Sequence, residues 1–218
     1  MMANTAARVT SDEPGRSGRK RRAILDAAAE MFLQHGYLGT NMDEVAARAA
    51  VSKQTVYKQF VSKEALFVAI VGGMTGAAGD LVQSEIADLG ERDNPEQQLL
   101  AYAKRQLVVV LTPRLMQLRR LVIGEASRFP ALGRALHAGG PGRAVAGLAS
   151  ALARWTERGQ LAIDDPVAAA SHFNWLIMGE PVNRAMLLGD TAIPGPAALR
   201  RHAADGVRVF LAAYGSRR

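Results

Sequence analysis

Cysteine is absent from the 218-residue sequence, which excludes disulfide bonds and thiolate metal sites and is typical of a reducing compartment. The four histidines show no metal-ligand spacing, so we expect neither a metal nor another cofactor. The longest uncharged stretch, residues 65–79, has fifteen residues and four glycines and is too short to cross a bilayer. The first twenty residues also lack the apolar segment of a secretion signal. These absences predict a cytoplasmic protein without a membrane partner.

Long alternating apolar and polar patterns are scarce too, whereas Ala, Leu, Arg and Glu, which favour helix, are plentiful. We therefore predict an all-α protein. The net charge of +7 is weak evidence for a nucleic-acid partner, since many basic proteins bind none. A cluster of cations with no acid between Pro14 and Leu25 is more informative, and a solvated tail explains it equally well. The cluster comprises Arg16, Arg19, Lys20, Arg21 and Arg22.

The N-terminal third of the chain predicts a disordered arm followed by three helices. Residues 1–18 are polar without periodicity, and helical spacing of apolar residues begins at Arg19. Gly36 is placed to end this first helix. Thr40 is a candidate N-cap for a second, short helix, and Ser52 for a third.

The second and third helices have the lengths and the short connection of a helix-turn-helix, in which the second helix of the pair enters the DNA major groove. In that helix Val56 and Phe60 face inward, so Gln54 and Lys58 point away from the core. Amide, hydroxyl and ammonium groups can bond to base edges, and lysine and tyrosine are common phosphate donors. A capped pair of short helices with a solvated face is the alternative, because many helical proteins contain one. The candidate DNA-binding residues are Thr40, Ser52, Lys53, Gln54, Thr55, Tyr57, Lys58 and Lys63.

The segments Thr40-Asn-Met-Asp-Glu-Val-Ala, Ala50-Val-Ser-Lys-Gln-Thr-Val-Tyr-Lys-Gln-Phe and Ser62-Lys-Glu-Ala-Leu-Phe resemble the DNA-binding domain of the TetR/AcrR family of bacterial regulators. The resemblance implies that Lys53, Gln54 and Thr55 face bases, while Tyr57 and Lys63 grip phosphates. Two departures stand out. Ala50 replaces a usual glycine, so the turn must avoid a positive φ or tolerate strain. Gln59 stands where a histidine or similar residue often occurs, which puts a phosphate contact there in doubt.

The rest of the chain predicts longer helices that begin near Pro95, Pro113, Pro130, Pro141, Pro166 and Pro196. The tract Arg120-Leu-Val-Ile-Gly-Glu-Ala-Ser-Arg-Phe-Pro, together with Gly159-Gln-Leu and Asp164-Asp-Pro, resembles the C-terminal domain of AefR-like members of the family. This implies a homodimer, a small apolar or amphipathic effector and, by family precedent, repression. The implied organisation is an arm at 1–18, a helix-turn-helix domain at 19–67 and an effector-binding and dimerisation domain at 68–218.

Two sets of apolar residues are candidates for these roles, with ordinary core as the alternative for both. The effector candidates are Met116, Trp155, Trp175 and Met178, since effector pockets are mostly apolar. The candidates for the dimer interface, in helices predicted at 166–188 and 197–214, are Phe173, Leu176, Ile177, Met178, Val207, Phe210 and Leu211. Four glycines in the fourth helix predict close helix packing or a hinge: Gly72, Gly73, Gly76 and Gly79.

Two other classes of function compete with DNA binding. An all-α enzyme could use Glu125 and Glu180 as paired carboxylates, but the sequence contains no hydrolase, zinc-protease or nucleotide-binding motif. A lone glutamate paired with arginine is the commoner outcome for such residues. A helical adaptor without DNA affinity is the third class. We expect a protein that is not an enzyme.

Overall fold

The computed structural model describes residues 13–87, Leu89 and residues 94–216. Within these residues the chain forms α-helices, one short 3-10 helix at Asp190–Ala192 and one isolated β-bridge between Leu161 and Gly215. The predicted all-α class is confirmed. The helices are α1 (Glu13–Gly39), α2 (Met42–Arg48), α3 (Lys53–Gln59), α4 (Lys63–Ala87), α5 (Pro95–Val110), α6 (Pro113–Glu125), α7 (Pro130–Gly139), α8 (Pro141–Glu157), α9 (Pro166–Leu188) and α10 (Pro196–Tyr214).

A proline occupies the first turn of each helix from α5 to α10, at the six breaks that the sequence predicted. Proline fits there because the N–H that it lacks would have no partner within the helix, and its fixed φ suits helical backbone. Three of these helices also have a side-chain cap. Asn94, Thr112 and Asp165 accept hydrogen bonds from backbone N–H groups of the turns that follow them.

Packing divides the described chain into two compact units between Ile70 and Val71, within α4. The core of the first unit contains a stacked pair of rings, Phe32 and Phe67, whose centres are 4.5 Å apart. In the second unit α8 packs against α9, and α10 packs against α5 and α9. Its core is apolar and aromatic, with Trp155 and Tyr102 completely buried.

The first helix differs from the prediction at its start and agrees with it at Gly36. It begins at Glu13, so residues 13–18 are helical and do not belong to a disordered arm; residues 1–12 of the predicted arm lie outside the described residues. Gly36 has φ 71° and ψ −179°, so the uninterrupted helix ends there as predicted, and a short helical segment continues beyond the kink as far as Gly39. Glycine is suited to this kink because it adopts positive φ without steric cost.

Close packing explains only one of the four glycines in α4. A Cβ on Gly79 would lie 3.0 Å from the carbonyl oxygen of Gly139, so a side chain would collide there. A Cβ on Gly72, Gly73 or Gly76 would meet no other atom within 4 Å. The packing explanation is therefore wrong for these three positions. Their glycines lower the stability of α4 by about 1 kcal/mol each relative to alanine.

Among the described residues, one segment is long and apolar enough to cross a membrane by length and composition alone, Lys63–Val82 in α4. The sequence analysis judged this region too short to cross a bilayer because it counted only the uncharged residues 65–79; the apolar helical segment is longer. Core helices pass the same test. The side chains of Leu66 and Phe67 are completely buried in this protein, and Val82 belongs to the core of the second unit.

Candidate nucleic-acid interface

The turn between α2 and α3 is tightly hydrogen-bonded and contains a residue in the left-handed region. The N–H groups of Ala50 and Val51 donate to the carbonyl oxygens of Ala47 and Ala46, at 3.1 and 3.0 Å. Ala50 has φ 51°, and it is the only non-glycine residue with positive φ among the described residues. Of the two alternatives that the sequence left open, the turn tolerates strain rather than avoiding a positive φ. This conformation costs roughly 1–2 kcal/mol for a residue with a Cβ.

The caps of the two short helices differ from the prediction at α2. Thr40 is only 3% exposed, and its hydroxyl donates to the carbonyl oxygen of Gly36 at 2.8 Å, so it neither caps α2 nor faces solvent where DNA could reach it. The N-cap is Asn41, whose side chain accepts from the N–H of Asp43 at 2.9 Å. Asn41 was missed because two adjacent residues both suit an N-cap and sequence spacing does not separate them.

At α3 the predicted cap is correct. The Ser52 hydroxyl oxygen accepts from the N–H of Thr55 at 3.2 Å and also lies 2.9 Å from the Thr55 hydroxyl. Ser52 is exposed and Thr55 is half-buried. The two hydroxyl groups thus form a small polar unit at the start of α3.

The outer face of α3 is polar and accessible. Val56 and Phe60 are buried, so Gln54 and Lys58 lie on the opposite side and are exposed, as the helical spacing predicted. Tyr57 is 51% exposed, unusual for a large aromatic side chain. Within the described part of the chain, no hydrogen bond or ion pair occupies the side chains of Gln54, Tyr57 or Lys58. This face can offer an amide, a phenol and an ammonium group to a ligand.

The remaining two lysines are already in contact with the protein. The Lys53 ammonium lies 2.5 Å from a carboxylate oxygen of Asp43, which joins α3 to α2. The Lys63 ammonium donates to the carbonyl oxygen of Leu38 at 3.3 Å and lies 4.6 Å from the centre of the Tyr37 ring. Lys63 is therefore held where α4 begins, whereas Lys53 must leave Asp43 before it can reach a base.

Three further contacts were not predicted from the sequence. Arg48 donates to Glu30 at 2.6 Å and joins α2 to α1. The amide nitrogen of Gln59 donates to the hydroxyl of Ser17 at 3.1 Å, and the guanidinium of Arg21 lies 5.0 Å from the centre of the Phe60 ring. These contacts join residues far apart in sequence, and helical periodicity alone gives no signal for them.

The structure separates one of the four effector candidates from the rest. Met116 and Trp155 are completely buried and Met178 is 8% exposed, all three in the core of the second unit. Trp175 is 70% exposed, because it lies two residues from the buried Phe173 and thus on the opposite face of α9. Trp175 is therefore not part of an internal pocket within one chain.

A buried polar pair in the same core escaped the sequence analysis. Gln106 in α5 is only 3% exposed, and its amide nitrogen donates to the side-chain oxygen of Asn174 in α9 at 3.1 Å. Within the described residues, the side-chain oxygen of Gln106 is buried without a hydrogen-bond partner. Tyr102 lies one turn earlier on α5, and burial raises the pKa of its phenol. An unpaired buried acceptor is destabilising and can be satisfied by a ligand.

Ion pairing also ties α6 to the segment after α9. The Arg120 guanidinium lies 2.5 Å from Asp190 and also donates to the carbonyl oxygen of Ala185 at 3.0 Å. Gln117 donates to the same carboxylate at 2.8 Å. The hydrogen bond from Arg120 is the main reason that the pKa of Asp190 lies below its usual value.

One of the two candidate catalytic carboxylates lies in a surface ion pair. Glu180 is exposed and lies 3.9 Å from Arg184 in the next turn of α9, an ordinary surface pair. Within the same residues no group of three His, Asp or Glu side chains is close enough to hold a metal ion.

The predicted stripes of the dimer interface lie mostly inside the single chain. Phe173, Ile177, Val207 and Phe210 are buried in the core of the second unit, so core is the correct assignment for them. The opposite faces of the same helices instead expose large apolar side chains. On α9 and α10 these are Val167, Trp175, Leu187, Leu188 and Val209.

Two family models match the chain. The model described as bacterial regulatory proteins, tetR family, matches residues 24–70. The model described as the C-terminal domain of AefR-like transcriptional repressors matches residues 97–216.

Solved structures and other relatives agree with these matches. A TetR-family regulator from Mesorhizobium loti is 41% identical with a TM-score of 0.87, over 92% of this chain and 98% of that one. The flavonoid-responsive regulator FrrA is 30% identical with a TM-score of 0.74, over 92% of this chain and all of FrrA (100%). An uncharacterised HTH-type regulator of Mycobacterium tuberculosis is 30% identical over 71% of this chain and 69% of its own length. The transcriptional activator FasR of Mycolicibacterium smegmatis is 38% identical, but the match spans only 32% of this chain and 36% of FasR.

Proposed function

Since the chain belongs to the TetR family of DNA-binding transcriptional regulators, we propose that it is a homodimeric repressor released from its operator by a small apolar or amphipathic molecule. Regulators of this family are not enzymes, which sets aside the all-α enzyme considered above. An adaptor without DNA affinity is set aside on the same ground. The direction of regulation, the dimer, the effector and the residue roles are the proposed part.

The observation that carries the DNA-reading role is the accessible outer face of α3. Gln54 is free to bond to a base edge, and a glutamine amide matches the paired donor and acceptor of adenine. Tyr57 and Lys58 are exposed beside it and suit phosphate contacts. Lys53 serves as a base contact only after it exchanges Asp43 for DNA, so its contribution is reduced by the lost ion pair.

Repression is supported by the family model of residues 97–216, whose members are described as AefR-like repressors. The similarity to the activator FasR covers only about a third of each protein, so it carries less weight for the sign of regulation than the model of residues 97–216. Action on operator DNA and the absence of cysteine both fit a cytoplasmic protein.

A homodimer is supported by the exposed apolar side chains on α9 and α10. Trp175 and Val209 lie on the faces opposite the core, where a monomer would leave them in water. Large exposed apolar residues on two long helices are typical of an interaction surface. Dimerisation would also place two α3 helices on successive turns of the major groove, which requires a separation of about 34–36 Å.

A small-molecule effector is supported by the second unit and by one relative. FrrA is a flavonoid-responsive regulator and is similar over almost the whole chain. The second unit has an apolar core that includes Met116, Trp155 and Met178, with Gln106 as a buried polar group. This combination suits an apolar molecule that carries one hydrogen-bond donor.

The DNA-reading role is tested by titrating fluorescent DNA from upstream of the gene, and a scrambled duplex, with three variants. Gln54→Ala is expected to lose about 1–3 kcal/mol on the upstream DNA and little on the scrambled duplex. Lys63→Ala is expected to weaken both duplexes and to lower the salt slope by about one unit per protomer. Gln97→Ala, an exposed glutamine on α5, is the control. Equal loss on both duplexes for Gln54→Ala would contradict the reading role.

The release mechanism is tested by calorimetric titration of a flavonoid that carries a single hydroxyl group, with and without the upstream DNA. A ligand that dissociates the complex must bind the DNA-free protein more tightly, and linkage makes the effect reciprocal. We expect DNA to weaken flavonoid binding about 5- to 150-fold. Binding of equal strength in both conditions would refute release by this ligand class.

A further inference from the structure

The first turns of α1 form a cationic surface that is ordered as helix. We call residues 15–22 the basic turn; it carries four arginines and one lysine, and no acid occurs from Pro14 to Leu25. These residues belong to α1, which begins at Glu13. They precede the apolar part of the helix, whose first buried residue is Ile24. The burial pattern of α1 gives no reason for this extension, because residues 15–22 are exposed.

Two contacts hold the basic turn against the end of α3. The amide nitrogen of Gln59, the last residue of α3, donates to the hydroxyl of Ser17 at 3.1 Å. The guanidinium of Arg21 lies 5.0 Å from the centre of the ring of Phe60, within the range of a cation–π contact. Ser17 and Arg21 are four residues apart and thus share one face of α1. The basic turn is therefore attached to the helix that carries the exposed Gln54, Tyr57 and Lys58 face.

The remaining cations of the basic turn have different surroundings. Arg22 lies 3.8 Å from Asp26, so its charge is partly compensated. Arg16, Arg19 and Lys20 are exposed, and no acid within the described residues pairs with them. Arg16 and Lys20 are four residues apart, next to the face of Ser17, while Arg19 lies on the far side of the helix. Helix α1 therefore places Arg16 and Lys20, two cations without an acidic partner among the described residues, beside the contact with α3.

We propose that Gln59 holds the basic turn beside α3 so that Arg16 and Lys20 bind backbone phosphates of duplex DNA next to the bases that α3 reads. The inference rests on the proposed DNA-reading role of α3. Phosphate is the matching ligand because the surface is positive, exposed and continuous with the polar face of a helix suited to the major groove. Gln59 acts as a positioning residue, since its amide is bound to Ser17 rather than directed at DNA. Arg21 acts likewise through Phe60.

The proposal predicts a particular dependence on salt. Each phosphate contact contributes about 0.9 to the slope of log affinity against log salt. Loss of Arg16 and Lys20 should therefore lower the slope by about 1.8 per protomer, which corresponds to a roughly 12-fold smaller change in affinity between 50 and 200 mM salt. Loss of Gln59 removes no charge, yet it should also lower the slope, because the two cations are then no longer held in place.

The experiment measures binding of the full chain to the upstream duplex and to the scrambled duplex from 50 to 200 mM salt. The variants are Arg16→Gln with Lys20→Gln, Gln59→Ala, and Ser17→Ala, which removes the other partner of the same hydrogen bond. The charge-matched control is Arg134→Gln with Arg158→Gln, two exposed arginines of the second unit. Circular dichroism of each variant shows whether the total helix content is kept.

We expect the double charge variant to lower the slope on both duplexes, Gln59→Ala and Ser17→Ala to lower it by a similar or smaller amount, and the control to leave it unchanged. A slope for the double variant equal to that of the control overturns the phosphate contact. A normal slope for both Gln59→Ala and Ser17→Ala overturns the positioning role. A failure of the proposed DNA-reading role would give a different result. Gln54→Ala would then bind both duplexes as tightly as the parent protein, regardless of the results for the variants of the basic turn.

Discussion

Replacement of Ala50 by glycine tests the strain in the turn between α2 and α3. Ala50 adopts φ 51° in a turn whose N–H groups are hydrogen-bonded to the end of α2, so the backbone cannot relax without loss of these bonds. Residue 50 is exposed, and its methyl group contributes little buried surface. The substitution Ala50→Gly therefore changes the backbone preference and almost nothing else.

The expected gain follows from two opposing effects. A non-glycine residue in the left-handed region costs roughly 1–2 kcal/mol, which glycine recovers. Glycine also has more freedom in the unfolded chain, which costs about 0.4–1 kcal/mol. The difference is a stabilisation of about 0.5–1 kcal/mol. With a urea m-value of about 2 kcal/mol/M, the midpoint of unfolding should rise by roughly 0.3–0.5 M.

The assay is urea unfolding followed by far-UV circular dichroism, with tryptophan fluorescence as a second signal. Both tryptophans, Trp155 and Trp175, lie in the second unit, so a separate transition of the first unit would appear in circular dichroism alone. The matched control is Ala47→Gly. Residue 47 is also exposed, but it lies inside α2, where the same change should destabilise by about 1 kcal/mol.

Opposite signs for the two glycine variants are the signature of strain at residue 50. A loss of stability for Ala50→Gly that matches the loss for Ala47→Gly would refute the reasoning, because both changes would then act only through the unfolded chain. A change in m-value would instead indicate an altered unfolded state and would remove the basis of the comparison.

Three further outcomes are expected. Gln106→Met combined with Asn174→Leu removes an unpaired buried acceptor, so the stability of the ligand-free protein should be unchanged or higher by about 1 kcal/mol. Calorimetry should show weaker flavonoid binding to this variant. A large loss of stability would contradict this expectation. Asp190→Asn should destabilise the protein at neutral pH, because the pKa of Asp190 is lowered in the folded protein. The loss in free energy of unfolding, measured in urea, should shrink as pH falls below about 4. A loss that does not depend on pH would refute the role of Arg120. If Gly72 and Gly73 are the predicted hinge, Gly72→Ala with Gly73→Ala should stabilise α4 by about 1 kcal/mol per site and reduce the effect of DNA on flavonoid affinity. An unchanged effect of DNA would show that these two glycines are not a hinge.

The sequence by itself determined the elements whose signals are local. Proline at a first helical turn has a fixed φ and no N–H, so the starts of α5 to α10 were read directly. Ser52 was identified as a cap, and the spacing of Val56 and Phe60 predicted which side of α3 is exposed. These features depend on residues within one or two turns of each other, which is the range over which helical periodicity and capping act.

Contacts between distant residues decided the rest. Thr40 lies in the interior because its hydroxyl bonds to Gly36, so its neighbour Asn41 caps α2. Trp175 was a candidate for an apolar effector pocket, but it is exposed because Phe173, two residues away on the same helix, is buried.

The basic turn shows the same division between local and distant information. Residues 13–18 have no periodic apolar pattern, which predicted disorder, whereas the structure has helix there, with Ser17 bonded to Gln59 and Arg21 in cation–π contact with Phe60. Partners 42 residues apart in the chain leave no trace in a local pattern. Only the tertiary structure brings them together, because the fold of α1 against α3 depends on the packing of the whole first unit.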